Sequence, residues 1–319
     1  MVNESMFDLS PADVMPRSVS RSDLQNSALR ALPQSVEFQR AMTAYGRPPL
    51  VLPEHDNMVV TRRTLLDRFD VAMINRAPLA EPQQLFSTLR QSVLKRVPII
   101  LSPERPSPEL GSLGAVPLLS PASVALLQIA PCSDTRRAGL HQKWRNRLNH
   151  ATGHDLRVTR QNMPDNSEHW LFKADLIQQH QRQYRSWPVP LTLAYARENK
   201  GQAKLFQALQ GKEILAAVLI LRHGDSASYH ISHTTALGKV LSAHNLLLWE
   251  AISWLAQKGC RQLDLGVINT EDAPGLARFK LGTGAKVSQL GGTWLFWPPM
   301  GRLLAPLARW DRRMMSATP

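Results

Sequence analysis

Cysteine is nearly absent from this 319-residue chain, which holds only Cys132 and Cys260. Two thiols so far apart in sequence make neither a disulfide framework nor a zinc-ligand spacing, and they fit the reducing cytoplasm. Long apolar runs are missing too, since none approaches the ~18 residues that a membrane span needs. The opening MVNESMFDLSPADV lacks the basic-then-apolar order of a secretory signal, so neither export nor membrane insertion is expected. No G-x-G-x-x-G and no P-loop occurs, which leaves out the glycine-rich phosphate cradles of nucleotide-binding sheets. Acidic residues are scarce: 25 Asp and Glu stand against 38 Lys and Arg, a net charge of +13. A field of that sign favours an anionic partner, whether RNA, a phosphate-rich co-substrate or an acidic membrane surface.

What is present is enough for real cores. The composition is 43% hydrophobic, and the length suits one large or two ordinary domains. Residues 1–30, rich in Ser, Asp, Asn and Arg, read as a loosely held tail. A short helix is expected over 32–45, closed by Gly46. Strands follow at 50–52 and 71–74, on either side of a basic turn at Arg62 and Arg63, with 75–78 breaking the second. A helix over 82–96, with Leu85, Leu89, Val93 and Val97 on one stripe, and a buried strand at 98–101 make a β/α unit. Residues 105–120 hold several Pro, Gly and Ser and read as a loop or join. A strand resumes at 124–129.

From 134 to 151 the pattern is helical, with Leu140, Trp144, Leu148 and Ala151 on one face and Asp134 placed as a cap. Arg136, Arg137, Lys143, Arg145 and Arg147 crowd the other faces, which makes either a solvated basic surface or a phosphate-contacting helix. After a strand at 156–159, a long helix is expected over 167–187, stopped by Pro188 and Pro190. Residues 203–210 and 214–222 form an antiparallel pair turned at Gly211, 226–233 a third strand, and 242–258 a helix with a broad apolar face closed by Gly259. Leu263, Leu265 and Val267 then alternate with Gln262, Asp264 and Gly266 as a strand. Asp272 and Pro274 read as a helix start, with Gly282 ending that helix in the left-handed conformation. Residues 285–290 and 293–297 read as a hairpin around Gly291 and Gly292. The element order is α+β with a mostly antiparallel sheet.

One residue in this last stretch stands out. Lys280 follows Phe279 at a position a core would not choose, and on residue type alone it is a solvent-facing lysine. The order of GLARFKLGTGAKV after a strand ending DLG, with KWRNRL at 143–148, LPQSVEF at 32–38 and NRAP at 75–78, resembles the GNAT acyltransferase superfamily. More narrowly it is similar to the Fem-type branch and the related BioF2-like acetyltransferase domains, over roughly residues 31–297. The resemblance implies a GNAT-like fold of two tandem halves, the first degenerate at 31–130 and the second, catalytic, at 131–297. The same resemblance implies an acceptor groove between them.

It also implies transfer of an acyl or aminoacyl group onto an amine. Fem-type members draw on aminoacyl-tRNA, and other members use acyl-CoA. The Lys of the Phe-Lys pair, here Phe279 and Lys280, is implicated in stabilising charge during transfer. The chemistry is compatible, because aminolysis passes through a tetrahedral oxyanion that a fixed ammonium stabilises. Lys280 can equally bind the terminal phosphate or 3′ end of a nucleic-acid donor. Asp264, Glu271, Asp272 and the histidines are candidate bases for the attacking amine, and no spacing singles out one of them. Lys143, Arg145, Asn146 and Arg147 of KWRNRL are candidate donor contacts. No metal is expected, since His230 and His233 form an HxxH of ordinary edge residues.

The segment TTALGKVLSAHN, residues 234–245, bears on the donor. Acyl-CoA users carry Gln/Arg-x-x-Gly-x-Gly/Ala here, whose small residues let backbone N–H groups close around pyrophosphate. In this chain Lys239 is followed by Ser242 and His244 where Gly and a small residue belong. That departure disfavours coenzyme A and, with the charge, favours aminoacyl-tRNA. An acyl chain on a carrier protein stays open, as does a non-catalytic RNA-binding protein on the same fold. The acceptor can be a small metabolite, a peptidoglycan precursor or a lipid amine. Beyond residue 297, Leu303, Leu304, Leu307, Trp310 and Met314 share a helical face opposite Arg302, Arg309, Arg312 and Arg313. That is the pattern of a docked terminal helix, or of a helix making peripheral membrane contact through 300–315.

Overall fold

Strand-forming alternation along the chain builds two sheets, and the computed structural model describes residues 29–65 and 68–299. In chain order the helices are α1 (Val36–Ala44), α2 (Pro82–Gln91), α3 (Ser133–Ala138), α4 (Gln142–Thr152), α5 (Trp170–Arg182), α6 (Val189–Glu198), α7 (Ala236–Val240), α8 (Ala243–Gln257) and α9 (Pro274–Gly282). The strands are β1 (Leu50–Leu52), β2 (Met58–Leu65), β3 (Phe69–Ala77), β4 (Ile99–Pro103), β5 (Val116–Leu119), β6 (Ser123–Gln128), β7 (Arg157–Asn162), β8 (Ala203–Gln210), β9 (Glu213–His223), β10 (Ser226–Thr234), β11 (Gln262–Ile268), β12 (Lys286–Gln289) and β13 (Thr293–Phe296). The first sheet runs β1-β2-β3-β4-β13-β5 and the second β12-β6-β11-β10-β9-β8-β7.

The first sheet is built on a parallel β3–α2–β4 unit whose helix buries Leu85, Phe86 and Leu89 completely or nearly so. Phe296 of β13 packs on Phe86 with ring centroids 4.1 Å apart, so β13 completes this core. In the second sheet, β8, β9 and β10 form an antiparallel meander. One face is covered by α4 and α8, which bury Trp144, Leu148, Leu247, Leu248 and Leu255, and the other by α1, α5 and α6. Each leucine so enclosed contributes roughly 1.5–3 kcal/mol of transfer free energy. That makes α8 the anchor of the half.

One departure from a regular sheet prepares the site. β10 and β11 pair in parallel only at Ser226–Gln262, Ala227–Leu263 and Ser228–Asp264. Beyond that point β10 stays with β9 while β11 stays with β6, so the two strands part. A bulge in β11 between Asp264 and Val267 marks the separation.

Several sequence expectations are corrected. Arg62 and Arg63 lie within β2, which runs to Leu65, and β3 runs through 75–77 to Ala77. The helix expected over 134–151 is two, α3 and α4, broken at Gly139, and no side chain caps either one. Gly139 meets Gly284 so closely that a Cβ on Gly284 would lie 2.5 Å from the Gly139 carbonyl oxygen. Pro188 and Pro190 open α6 instead of ending the region as loop, since Pro fits the first turn of a helix. The expected loop over 105–120 contains β5, and Val93 is exposed because α2 stops at Gln91.

The 285–297 segment is not a hairpin. β12 pairs with β6 in the second sheet, whereas β13 pairs with β4 and β5 in the first. Gly291 and Gly292 form the crossing: a Cβ on Gly291 would sit 2.5 Å from the Arg105 carbonyl oxygen, and Gly292 has φ +75°. A division of the chain at residue 130 therefore does not follow the sheets, because β6 belongs to the second and β13 to the first. The amphipathic segment at 300–315 and nearly all of the 1–30 tail lie outside the described residues.

Candidate active site

Lys280 is buried, with 7% of its surface exposed, so the solvent-facing expectation from residue type is overturned. It occupies the last turn of α9, which lies against β11 where that strand leaves β10. Its Nζ donates to the Val267 carbonyl at 2.8 Å. Gly266 takes φ +78°, a conformation that glycine adopts without strain, and a Cβ there would make ordinary contact with Nζ at 3.7 Å. Burial lowers the Lys280 pKa to about 8, with the Asp264 carboxylate opposing the shift. The ammonium and the amine are therefore both accessible near neutral pH.

Asp264 does not stand free as a base. Its Oδ1 accepts from the Gly266 N–H at 2.7 Å, and its Oδ2 is ion-paired with Arg76 of β3. Arg76 in turn grips Glu104, its Nε and Nη2 donating to the two carboxylate oxygens at 2.7 and 2.8 Å. Burial works against the Arg76 charge, but Glu104 and Asp264 together hold its pKa above the usual guanidinium value. Glu271 and Asp272 are exposed. Asp272 accepts from the Asn269 side chain at 2.7 Å instead of capping α9.

Phe279 sits between two partners on the other side of α9. Its ring centroid is 5.3 Å from that of His244 and 6.1 Å from that of Trp144. Gly282 lies inside α9 and is not left-handed; it is glycine because a Cβ there would come 2.7 Å from Trp144 Cδ1. His244 bridges Tyr229 Oη at 2.9 Å and Thr234 Oγ1 at 3.0 Å. Burial holds its pKa down to about 4 and pushes the Tyr229 phenol up to about 12. A polar relay that is neutral at physiological pH thus lines the parting of β10 and β11.

The loop leading into α8 is folded on itself. The Gly238 N–H donates to Thr235 Oγ1, and the N–H groups of Lys239, Leu241, Ser242 and Asn245 go to carbonyls within residues 235–242. A Cβ on Gly238 would lie 2.3 Å from the Leu215 carbonyl oxygen, so this glycine serves packing on β9. Ser242 has φ +53° and makes no side-chain cap for α8, and Lys239 is exposed. The N–H groups of Ala243 and His244, in the first turn of α8, make no backbone hydrogen bond, so those two are the donors this segment leaves for an anionic group.

The basic helix is an outer surface. Lys143, Asn146 and Arg147 are exposed on α4, while Arg145 folds back to donate to the Leu140 carbonyl at 3.0 Å. Trp144 from the same helix reaches the Phe279 ring, with its Nε1 buried and unpartnered. The structure therefore gathers Asp264, Phe279, Lys280 and His244 in one place. Lys143, Asn146 and Arg147 share a separate solvent-facing surface. His230 accepts or donates one hydrogen bond with Thr192 at 3.1 Å and packs on Trp187, and burial lowers its pKa to about 4. Among the described residues no His, Cys, Asp and Glu converge as a metal site.

Sequence reasoning missed Arg76, Glu104 and Tyr229. Arg76 lay inside the NRAP motif, and that was the available signal. A cavity lined by Leu127, Ile129, Arg136, Trp249 and Thr283 lies beside the end of α9, where Thr283 Oγ1 donates to the Lys280 carbonyl at 2.7 Å.

Residues 136–281 match the acetyltransferase (GNAT) domain family. The fold is similar to the crystal structure of FemX, with a TM-score of 0.69 at 11% identity over 89% of this chain and 97% of that one. It is also similar to a conserved protein of unknown function from Bacteroides thetaiotaomicron, with a TM-score of 0.54 at 11% identity over 91% and 97% of the two chains. A third likeness is the C-terminal domain of a putative lysylphosphatidylglycerol synthetase from Agrobacterium fabrum, with a TM-score of 0.51 at 12% identity over 92% and 96%. Comparison with curated protein sequences finds no match.

Proposed function

We propose, from the match of residues 136–281 to the acetyltransferase (GNAT) domain family and the likeness of the fold to FemX, that the chain transfers an aminoacyl group from aminoacyl-tRNA onto an amine. The observation that carries the donor assignment is the closed loop at 235–245. The N–H groups of Gly238, Lys239, Leu241, Ser242 and Asn245 are spent internally and its glycine packs on Leu215, which favours a donor held by something other than a pyrophosphate cradle. The exposed Lys143 and Arg147 and the net charge of +13 suit a nucleic-acid backbone. The name of the Agrobacterium protein, which joins lysine to a phospholipid, is consistent with aminoacyl chemistry.

In this reading the acceptor amine attacks the ester carbonyl, and the Lys280 ammonium faces the oxyanion. One of its three N–H bonds goes to Val267, which fixes the group and leaves two for the developing charge. Because the ammonium is buried, its field is weakly screened, which is where a preorganised charge stabilises a transition state most. Collapse expels the 3′ hydroxyl of the donor, which takes up the proton the amine loses. Asp264 and Arg76 fix the strand beneath, and Phe279 sets the position of α9 against His244.

The family match to acetyltransferases makes acyl-CoA the competing donor. Purified protein given hydroxylamine as a generic amine, with either labelled acyl-CoA or charged tRNA and with or without ribonuclease, separates the two. Hydroxamate formed above the protein-free rate only from charged tRNA, and abolished by ribonuclease, is the expected result. Product from acyl-CoA alone would end the tRNA proposal.

A further inference from the structure

The geometry points to Arg76 as a positioning residue for Lys280, acting from the first sheet through Asp264 and held in place by Glu104. The inference rests on the role proposed for Lys280 above. Arg76 is a non-glycine residue at φ +53°, a conformation that costs about 1 kcal/mol and persists only where its surroundings over-determine it. The β3–β4 register shifts between Asn75 and Ala77, so Arg76 is carried out of the ladder. A bulge of this kind re-aims a side chain. Its guanidinium then meets Glu104 in a two-point contact, while the Glu104 N–H donates to the Ala77 carbonyl at 3.0 Å and closes the loop on itself.

On the far side the contacts run on to the candidate catalytic amine. Asp264 takes Arg76 on one oxygen and the Gly266 N–H on the other, and Val267, the next residue, accepts from Lys280. An unpaired Asp264 carboxylate would draw the Lys280 ammonium to itself and hold it charged. With Arg76 in place that carboxylate is already matched, so Lys280 stays on Val267 with donors to spare. The groups around Lys280 are Asp264 from β11, Arg76 from β3, Glu104 after β4, His223 from β9 beside Arg76, and His244 from α8 behind Phe279. Burial and the Arg76 charge keep His223 neutral, with a pKa of about 3, and His244 is neutral as well. The charge balance is therefore set by Asp264, Arg76 and Glu104.

Acetic anhydride labelling of the full-length protein as a function of pH, read by mass spectrometry at the Lys280 peptide, tests this alongside the pH profile of transfer. Arg76→Gln is expected to move the Lys280 midpoint up by about one pH unit. The alkaline limb of transfer should move with it, and Arg76→Lys should return most of both. Glu104→Gln, which leaves the Arg76–Asp264 pair intact, is expected to move the midpoint down and decides the matter even where Arg76→Gln does not fold. An unmoved Lys280 midpoint in the folded variants overturns the positioning role, whatever happens to the rate. A wild-type Lys280 that titrates like a solvent lysine would instead remove the role proposed for Lys280 itself.

Discussion

At the scale of single residues, Lys280 combines two consequences of burial that oppose each other. An ammonium in a dry site is effective against an oxyanion, and the same site penalises the charged form in the folded state. Lys280→Met is therefore expected to lower transfer by about 10²- to 10³-fold, the usual cost of removing one oxyanion donor, measured as kcat under saturating donor. The same substitution should not cost stability. Because the folded pKa of about 8 lies below that of an unfolded lysine, the group disfavours folding below pH 8, and this penalty is relieved as pH rises from about 8 towards 10.5. Thermal melts at pH 7 are expected to show the methionine variant equal to or a few degrees above wild type. Near pH 10 that advantage should shrink. Transfer by wild type should decline as pH rises through about 8, since the active form is the ammonium. A rate that climbs through pH 8 would instead identify Lys280 as a base.

Among secondary-structure elements, α9 carries two glycines of different tolerance, of which only Gly282 sits in the packing against α4. A Cβ at Gly282 would press on Trp144, which supports Phe279, whereas Gly275 at the start of the same helix has nothing within 4 Å. Gly282→Ala is expected to destabilise by roughly 1–3 kcal/mol and to reduce transfer, as overpacking does. Gly275→Ala should be neutral or stabilising by about 0.5–1 kcal/mol. Urea midpoints and rates on the two variants check both. Much at this scale was legible in the sequence. The strands at 203–210 and 214–222 announced themselves by apolar runs around Gly211, and the 15 residues of α8 by two adjacent apolar rows. The helix α6 was hidden, because Pro188 and Pro190 signal a helix start as readily as a stop, and only tertiary burial of Leu191 and Tyr195 decides between them.

For the whole molecule, what the sequence concealed is partnership at long range. β13 is a short apolar run, Trp294 to Phe296, that suits any sheet, and nothing in it says that the strand crosses to the first sheet beside β4. The Arg76–Asp264 pair spans 188 positions and leaves no local trace, although both residues lay in stretches that reasoning had singled out. Two further outcomes belong to this scale. His223, His230 and His244 are kept neutral by burial, with folded values of about 3, 4 and 4, below that of an unfolded histidine. Their contribution to stability is present above about pH 6.5 and lost as pH falls towards those values, so urea midpoints should drop between pH 7 and pH 5. If the α4 surface contacts the donor, Lys143→Glu and Arg147→Glu should weaken charged-tRNA binding and flatten its dependence on salt by about one ion per residue removed. The central claim is that the buried Lys280 serves transfer from aminoacyl-tRNA. It is tested most directly by single-turnover amide formation from charged tRNA with wild type and Lys280→Met, both shown folded by circular dichroism. Product is expected with wild type, and a rate at least about 100-fold lower in the variant. Equal rates, or no product from charged tRNA with either protein, would contradict it.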